Sequence, residues 1–249
     1  MHPVDIYPDL AALSRRAVEE FVAIAAESMR EREQFSVALA GGSTPRELYR
    51  LLATPEFVGR VHWSGVHVFW GDERCVPPED DRSNFRMAYE ELLSRVPIPL
   101  ANVHRIRGED EPPQAAEEYE TELRKFFEHS MAANAWTRFD LVLLGMGSDG
   151  HTASLFPGTP ALDEHEHAVM AVWVEKFSMW RITLTPVALN AARHVRFLVS
   201  GADKVDTLHE VLKGRPRPRE LPSQIVRPID GDLHWLVTAD AAAKLEAHE

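Results

Sequence analysis

The stretch "DLVLLGMGSDGH", residues 140–151, joins an apolar run to a glycine-rich turn that ends in charged side chains. An unbroken apolar run indicates a strand buried on both faces, as in a parallel sheet that is covered by helices. Similar runs alternate with helical patterns through most of the chain. This alternation predicts an α/β fold whose largely parallel sheet is flanked by helices on both faces.

Hydrophobic periodicity assigns the individual elements. Helical patterns lie at residues 9–32, 45–53, 84–96, 115–127 and 204–214, and a short Ala-rich helix is expected at the end of the chain. Strand patterns lie at residues 35–42, 66–70, 139–145, 168–174, 181–185, 195–201 and 233–238. No repeat of fixed period divides the sequence, so residues 1–249 are expected to form a single domain.

Composition limits the classes of function. The chain has 39 acidic side chains against 27 Lys and Arg, and its net charge of −12 argues against nucleic acid or an anionic membrane as the main partner. The single cysteine, Cys75, excludes an internal disulfide and fits a reducing compartment. Neither a secretory signal nor an apolar run as long as a membrane span is visible. We therefore expect a cytoplasmic protein that is a monomer or a weak homo-oligomer.

In sheets of this class, binding sites form at the carboxyl ends of the parallel strands. The first such end carries Gly41 and Gly42, then Ser43 and Thr44, then Pro45. Thr44 suits the N-cap of a helix and Pro45 suits its first position, which is a structural interpretation. Two glycines and two hydroxyls beside free helix N–H groups also suit an anion, although the lysine of a nucleotide P-loop is missing. Both interpretations stay open.

The second strand end carries three charged residues, Asp72, Glu73 and Arg74. A surface ion pair is the ordinary explanation of such a triplet. Because the triplet follows a buried strand, a functional role is an equally good explanation. Downstream, Ser83 or Asn84 is expected to cap a helix.

The third strand end is the opening stretch, whose glycines fit the dinucleotide pattern G-x-G-x-x-G. That pattern needs a long helix after its last glycine, and here Pro157 and Pro160 stop any helix within about two turns. The glycines are better explained as a sharp turn that presents Asp149 and His151. A carboxylate two residues from an imidazole can fix its tautomer, as a base that activates water requires.

The fourth strand end supplies Arg181 and Lys204. Arg181 starts an apolar strand, so its charge needs an anionic partner. Lys204 lies in the first turn of a helix, where the dipole disfavours a cation, so it is either solvated or held by an anion that it shares with the helix N-terminus. No metal-ligand spacing and no serine nucleophile elbow occurs in the sequence. The residues therefore predict attack of water on a phosphorylated small molecule, without metal or cofactor. The cations and hydroxyls expected to hold the phosphate are Ser43, Thr44, Arg74, Arg181 and Lys204.

These segments resemble the 6-phosphogluconolactonase family, within a larger group that includes the glucosamine-6-phosphate deaminases. The likeness runs through nearly the whole chain, in "LAGGSTP", "WGDERCVP", "DRSNF", "LLGMGSDGHTASLFPG", "RITLTP", "SGADK" and "LPSQIV". It implies a Rossmann-like fold of the type shared by glucosamine-6-phosphate deaminases, ribose-5-phosphate isomerases and CoA transferases, without a nucleotide. It also implies hydrolysis of 6-phosphoglucono-1,5-lactone to 6-phosphogluconate, the second step of the oxidative pentose phosphate pathway.

The resemblance implies a role for each site residue. His151 would be the general base, oriented by Asp149, and Arg74 or nearby backbone N–H groups would stabilise the oxyanion. The phosphate would be held by Gly42, Ser43, Thr44, Arg181 and Lys204. Asp72 and Glu73 would either act in the chemistry or only hold Arg74 in place.

Two alternatives are weaker. The deaminases carry an acid at the position of Phe156, which ring opening and proton transfer require and lactone hydrolysis does not. A non-catalytic sugar-phosphate sensor would need an output module, for which the chain has no room beyond its core.

Overall fold

The computed structural model describes residues 2–128 and 137–245. Within these ranges six strands form a parallel sheet in the order β1-β9-β8-β5-β2-β3, which confirms the predicted α/β class. Its strands are β1 (Val4–Tyr7), β2 (Phe35–Leu39), β3 (Val66–Trp70), β5 (Leu141–Leu144), β8 (His194–Val199) and β9 (Asp232–Thr238). β2 and β5 are buried along their whole length, as their apolar sequences predict.

Three further strands form a second, antiparallel sheet in the order β4-β7-β6: β4 (Asp72–Arg74), β6 (Val169–Val174) and β7 (Met179–Leu184). The runs at 168–174 and 181–185 are strands as predicted, but they do not join the parallel sheet. Only residues 175–178 connect them, and a connection this short allows a hairpin but not a parallel crossover. Ser178 closes the hairpin in the left-handed conformation, at φ 46°.

Helices cover both faces of the main sheet: α1 (Leu10–Arg32), α2 (Ser43–Leu52), α3 (Asn84–Glu91), α4 (Pro112–Phe127), α5 (Pro186–Ala191) and α6 (Val205–Lys213). Ser83 caps α3 by accepting a hydrogen bond from the N–H of Arg86, as predicted. The Ala-rich helix expected at the end of the chain is wrong for residues 240–245, which form turns, and its last part lies outside the described residues. No described helix combines the length and the apolar character needed to cross a bilayer.

Two buried tyrosines fix the chain where β2 and β3 end. Tyr49 on α2 accepts from the N–H of Ala40 at 3.0 Å and donates to its carbonyl at 2.8 Å. Tyr119 on α4 makes the same pair of bonds with Trp70, at 2.9 and 3.0 Å. Burial raises the pKa of both phenols, so both stay protonated and keep donating. The loops that start at these two points line the cavity described below.

The start of β5 is fixed by the buried carboxylate of Asp140. It accepts from the backbone N–H of Ser36 at 2.8 Å and from the Ser36 hydroxyl at 2.9 Å, which ties β5 to β2. The guanidinium groups of Arg32 and Arg193 lie 3.0 and 3.4 Å from its other oxygen. One side chain therefore joins a helix and two strands at the beginning of the sheet's central strand.

We expect Asp140→Ala to destabilise the fold by about 3 kcal/mol, because it leaves a buried N–H and two half-buried cations without their acceptor. Urea denaturation followed by circular dichroism measures the change. Asp163→Ala, which removes an exposed ion pair with Arg219, is the matched control and should cost less than about 1 kcal/mol. Equal stability of the two variants would contradict the role given to Asp140.

Candidate active site

A cavity of about 410 Å³ opens where β2, β3, β5 and β8 end and the second sheet begins. Most of the residues that the sequence singled out line it together. They are Gly42, Ser43, Thr44, Asp72, Arg74, His151, Arg181 and Lys204. Asp149 and Glu73 do not line the cavity themselves, but each hydrogen-bonds to a residue that does, His151 and Arg74 respectively. The cavity lies at the carboxyl edge of the sheet, where a Rossmann-like fold is expected to place a site.

The imidazole of His151 is held on two sides. Its Nδ1 lies 2.5 Å from Oδ1 of Asp149, so Nδ1 carries the proton and donates it to the carboxylate. The ring stacks on Phe156, with centroids 4.1 Å apart and 25° between the planes. No residue in the described ranges hydrogen-bonds to Nε2, and this nitrogen is the one left to act on a molecule in the cavity.

Asp149 has a second partner that sequence reasoning missed. The ammonium group of Lys176 lies 2.7 Å from its Oδ2. Burial opposes ionisation of this carboxyl, but the hydrogen bonds from His151 and Lys176 outweigh burial and hold its pKa well below the ordinary value. Asp149 is therefore an anion throughout the physiological pH range. Lys176 lies 27 residues away, on the β6–β7 connection, and nothing in its local sequence indicates the contact.

The turn that carries this pair depends on its glycines, as the sequence predicts. Gly150 has φ 78°, which other residues rarely adopt. A Cβ on Gly147 would lie 2.1 Å from Nδ1 of His151 and 2.7 Å from Oδ1 of Asp149. Residues 151–159 form turns without a helix, so the structure lacks the element that a dinucleotide site needs.

The start of α2 differs from the prediction and strengthens the anion-binding interpretation. The helix begins at Ser43, and its N-cap is Gly42 at φ 102°, which makes no side-chain cap. Thr44 is thus not the N-cap, because the glycine turns the chain two residues earlier; its Oγ1 instead lies 2.6 Å from Oγ of Ser200. The helix start therefore has no side-chain cap, and Gly42, Ser43 and Thr44 line the cavity, an arrangement that suits an anion.

Arg74 and Arg181 lie directly opposite each other on β4 and β7. Within residues 2–128 and 137–245, neither guanidinium has a carboxylate within 4 Å, and the buried Nε of each lacks an acceptor. Arg181 is only 8% exposed, and burial followed by the charge of Arg74 lowers its pKa. Arg181 is buried and Arg74 is partly buried, so the two like charges repel each other, and an anionic ligand in the cavity would offset that repulsion.

Lys204 is a third cation that lines the cavity. It ends a short 3-10 turn, Ala202–Lys204, that leads into α6. Lys204 was predicted to lie in the first turn of this helix, and it is instead the N-cap, one position before the helix begins. Its ammonium group lies 2.6 Å from the carboxylate of Asp203, which also lines the cavity and which sequence reasoning missed. The carboxylate of Asp203 is exposed, so this ion pair contributes little to stability.

Asp72 and Glu73 have different roles, and both are buried, so the surface ion pair is wrong for them. Glu73 accepts from the backbone N–H groups of Arg74, Asn84 and Phe85, all at 2.7 Å, which fastens β4 to the start of α3. Burial raises the pKa of Glu73. Asp72 lines the cavity and accepts from Ser154 at 2.6 Å and from Asn84 at 3.1 Å. Neither pairs with the Arg74 guanidinium.

Fold and site together define an α/β enzyme with a Rossmann-like parallel sheet and a cavity lined by cations at its carboxyl edge. The model of one family, described as glucosamine-6-phosphate isomerases/6-phosphogluconolactonase, matches residues 8–235. The chain belongs to this family.

Individual relatives narrow the comparison. The 6-phosphogluconolactonase of Synechocystis sp. is 39% identical over 243 residues, which cover 97% of this chain and 98% of that protein. The solved structure of 6-phosphogluconolactonase from Trypanosoma cruzi matches with a TM-score of 0.86 at 31% identity, over 99% of this chain and 98% of that one. A monomeric glucosamine-6-phosphate deaminase has a TM-score of 0.80 at 18% identity, over 97% and 99%, and shows the shared fold alone.

We expect Gly147→Ala to break the hydrogen bond between Asp149 and His151, because the added methyl group occupies the space of the imidazole. Proton NMR in water should lose the low-field signal of the Nδ1 proton. Gly145→Ala is the matched control, since its added methyl group meets no atom within 4 Å. A signal that persists in Gly147→Ala would mean that the turn adapts and does not fix the imidazole.

Proposed function

We propose that this protein hydrolyses 6-phospho-D-glucono-1,5-lactone to 6-phospho-D-gluconate. Relatives that match nearly the whole chain are named 6-phosphogluconolactonases. One observation in the cavity carries the proposal: the free Nε2 of His151 faces the same space as Arg74 and Arg181, whose Nε atoms have no acceptor among the described residues, and a helix start without a side-chain cap. A base and an anion site in one cavity suit a substrate that has a phosphate at one end and an electrophilic carbon at the other.

The phosphate is assigned to the side of the cavity formed by α2 and α6. The N–H groups of Ser43 and Thr44 and the helix dipole favour an anion there. Lys204 supplies a full charge when the phosphate replaces Asp203 as its partner. Arg181 completes the site, because a guanidinium can grip phosphate with two hydrogen bonds. Gly42 lets the backbone approach closely, having no side chain.

The chemical step is assigned to His151. Nε2 takes a proton from water as the water oxygen bonds to C1 of the lactone. Asp149 holds the ring in the tautomer that leaves Nε2 free and stabilises the imidazolium that forms. The tetrahedral intermediate then re-forms its carbonyl, the bond from C1 to the ring oxygen breaks, and the ring oxygen takes the proton from Nε2.

Arg74 is assigned to the oxyanion of that intermediate. Its Nη1 donates to the carbonyl of Arg82, which anchors the guanidinium, while its buried Nε lacks an acceptor. Such a preorganised donor lowers the barrier because the charge on the carbonyl oxygen grows during the step. Asp72 is held by hydrogen bonds from Ser154 and Asn84, and its negative charge attracts Arg181 and helps to keep it in the cavity.

The deaminase alternative lacks support in the cavity. Phe156, at the position where that branch carries an acid, stacks on the imidazole, and within residues 2–128 and 137–245 only Asp149 places a carboxylate against His151. We also propose that the protein works in the cytoplasm as a monomer or weak homo-oligomer, in keeping with its single, half-buried thiol at Cys75.

The direct test is proton release from freshly prepared 6-phosphogluconolactone, followed in weak buffer. Each hydrolysis yields a carboxylic acid that ionises, so an active enzyme accelerates acidification above the spontaneous rate. A rate equal to the spontaneous one, with folded protein, would refute the function.

His151→Ala should lower kcat by about 10²- to 10⁴-fold, because general base catalysis contributes on that scale. The same proton-release assay measures it. His165→Ala, an exposed histidine outside the cavity, is the control and should keep full activity. Full turnover by His151→Ala would remove the assignment of the base.

Lys204→Ala should raise KM by about 10- to 100-fold with little change in kcat, as expected for one charge-assisted contact to the phosphate. The variant also leaves Asp203 unpaired in the cavity. The double variant Lys204→Ala/Asp203→Asn removes that repulsion, and its KM isolates the lost attraction. An unchanged KM in both variants would contradict a phosphate role for Lys204.

A further inference from the structure

The carboxylate of Asp149 accepts hydrogen bonds from two side chains, His151 and Lys176. Its Oδ1 lies 2.5 Å from Nδ1 of His151, and its Oδ2 lies 2.7 Å from Nζ of Lys176. With both oxygens engaged, the carboxylate cannot rotate without breaking a hydrogen bond. Lys176 therefore acts on the imidazole indirectly, through the group that orients it.

The turn that carries Lys176 is packed against the site by aromatic contacts. Phe177 meets Phe156 edge to face, with centroids 5.7 Å apart and 71° between the planes, and Phe156 stacks on His151. The guanidinium of Arg181 lies 5.4 Å from the Phe177 ring. These contacts place the turn Glu175–Phe177 beside the catalytic turn, so the position of the lysine follows from packing as well as from its ion pair.

We propose that Lys176 is a positioning residue for lactone hydrolysis, which holds Asp149 in the orientation that serves His151 and offsets part of its negative charge. The inference rests on the proposed function. A fixed carboxylate keeps Nε2 aimed into the cavity. Partial neutralisation of Asp149 keeps the imidazolium from being over-stabilised, so that its proton passes readily to the leaving oxygen.

The charged groups around His151 give the sign of the expected effect. Asp149 comes from its own turn and Lys176 from the β6–β7 connection. The other charged groups that line the cavity are Asp72, Arg74, Arg181, Asp203 and Lys204. Lys176 does not line the cavity, and among the described Lys and Arg residues it is the one that forms an ion pair with Asp149. Its removal leaves the carboxylate more negative beside the imidazole, which favours the protonated ring and moves the loss of activity on acidification to higher pH.

The experiment compares Lys176→Met, Lys176→Arg and the control Lys125→Met, an exposed lysine on α4 that does not line the cavity. Lys176→Met should lower kcat about fivefold with KM nearly unchanged, in keeping with one exposed ion pair. The acid limb of its kcat/KM profile should move up by about 0.5 pH unit. Lys176→Arg should restore most of both values, and Lys125→Met should match the wild type.

An activity-independent measurement separates this inference from the function. In histidine labelled with ¹⁵N, the imidazole signals of His151 are identified by their loss in His151→Gln, and their titration midpoint should rise in Lys176→Met. An unchanged kcat and an unchanged midpoint would overturn the role of Lys176, as would a rise of KM alone, which would make it a substrate ligand. Wild-type protein without lactonase activity would refute the proposed function, and the titration would still report on Lys176.

Discussion

The hydrogen bond from His151 to Asp149 requires two residues of a tight turn to point their side chains at each other. Gly147 makes this possible, because any Cβ there would lie on the imidazole. The turn is then fastened from outside: Ser223 donates its N–H and its hydroxyl to the carbonyl of Gly150, each at 2.8 Å. Thr207 donates to the carbonyl of Ser148 at 2.7 Å. Segments far along the chain thus serve to hold one imidazole.

Electrostatics pose a second constraint, because a chain of net charge −12 must attract an anion. Many of its arginines are paired with acids, as Arg50 is with Glu91 at 2.8 Å. The two arginines of the cavity are not paired in this way. Arg74 and Arg181 lie opposite each other, and neither has a carboxylate within 4 Å among the described residues. Their mutual repulsion, strongest in its effect on the buried Arg181, costs free energy that an anionic ligand can offset.

The sequence predicts the parallel sheet well, because unbroken apolar runs and helix periodicity are local signals. It predicts most of the cavity for a related reason: residues that follow parallel strands meet at one edge. The predictions fail where the structure depends on contacts between segments that are distant in the sequence. β4 has three charged residues and no strand pattern, and only its ladder with β7 makes it a strand. Thr44 was predicted to be the N-cap of α2, but the backbone of Gly42 starts the helix earlier. Lys176 contacts Asp149 because a hairpin brings it there, and periodicity does not reveal that hairpin.

The two sheets divide the work of the site between them. Loops after the parallel strands supply His151 with Asp149 and the open start of α2, which are features of backbone geometry. The antiparallel sheet supplies Arg74 and Arg181, whose buried Nε atoms have no acceptor among the described residues. A parallel sheet alone would leave the base facing solvent, and the short sheet alone would hold charges with nothing to act on. The cavity exists only at their junction, and the second sheet also reaches the turn of the base, because Lys176 on its hairpin contacts Asp149 and Asp72 on β4 accepts from Ser154.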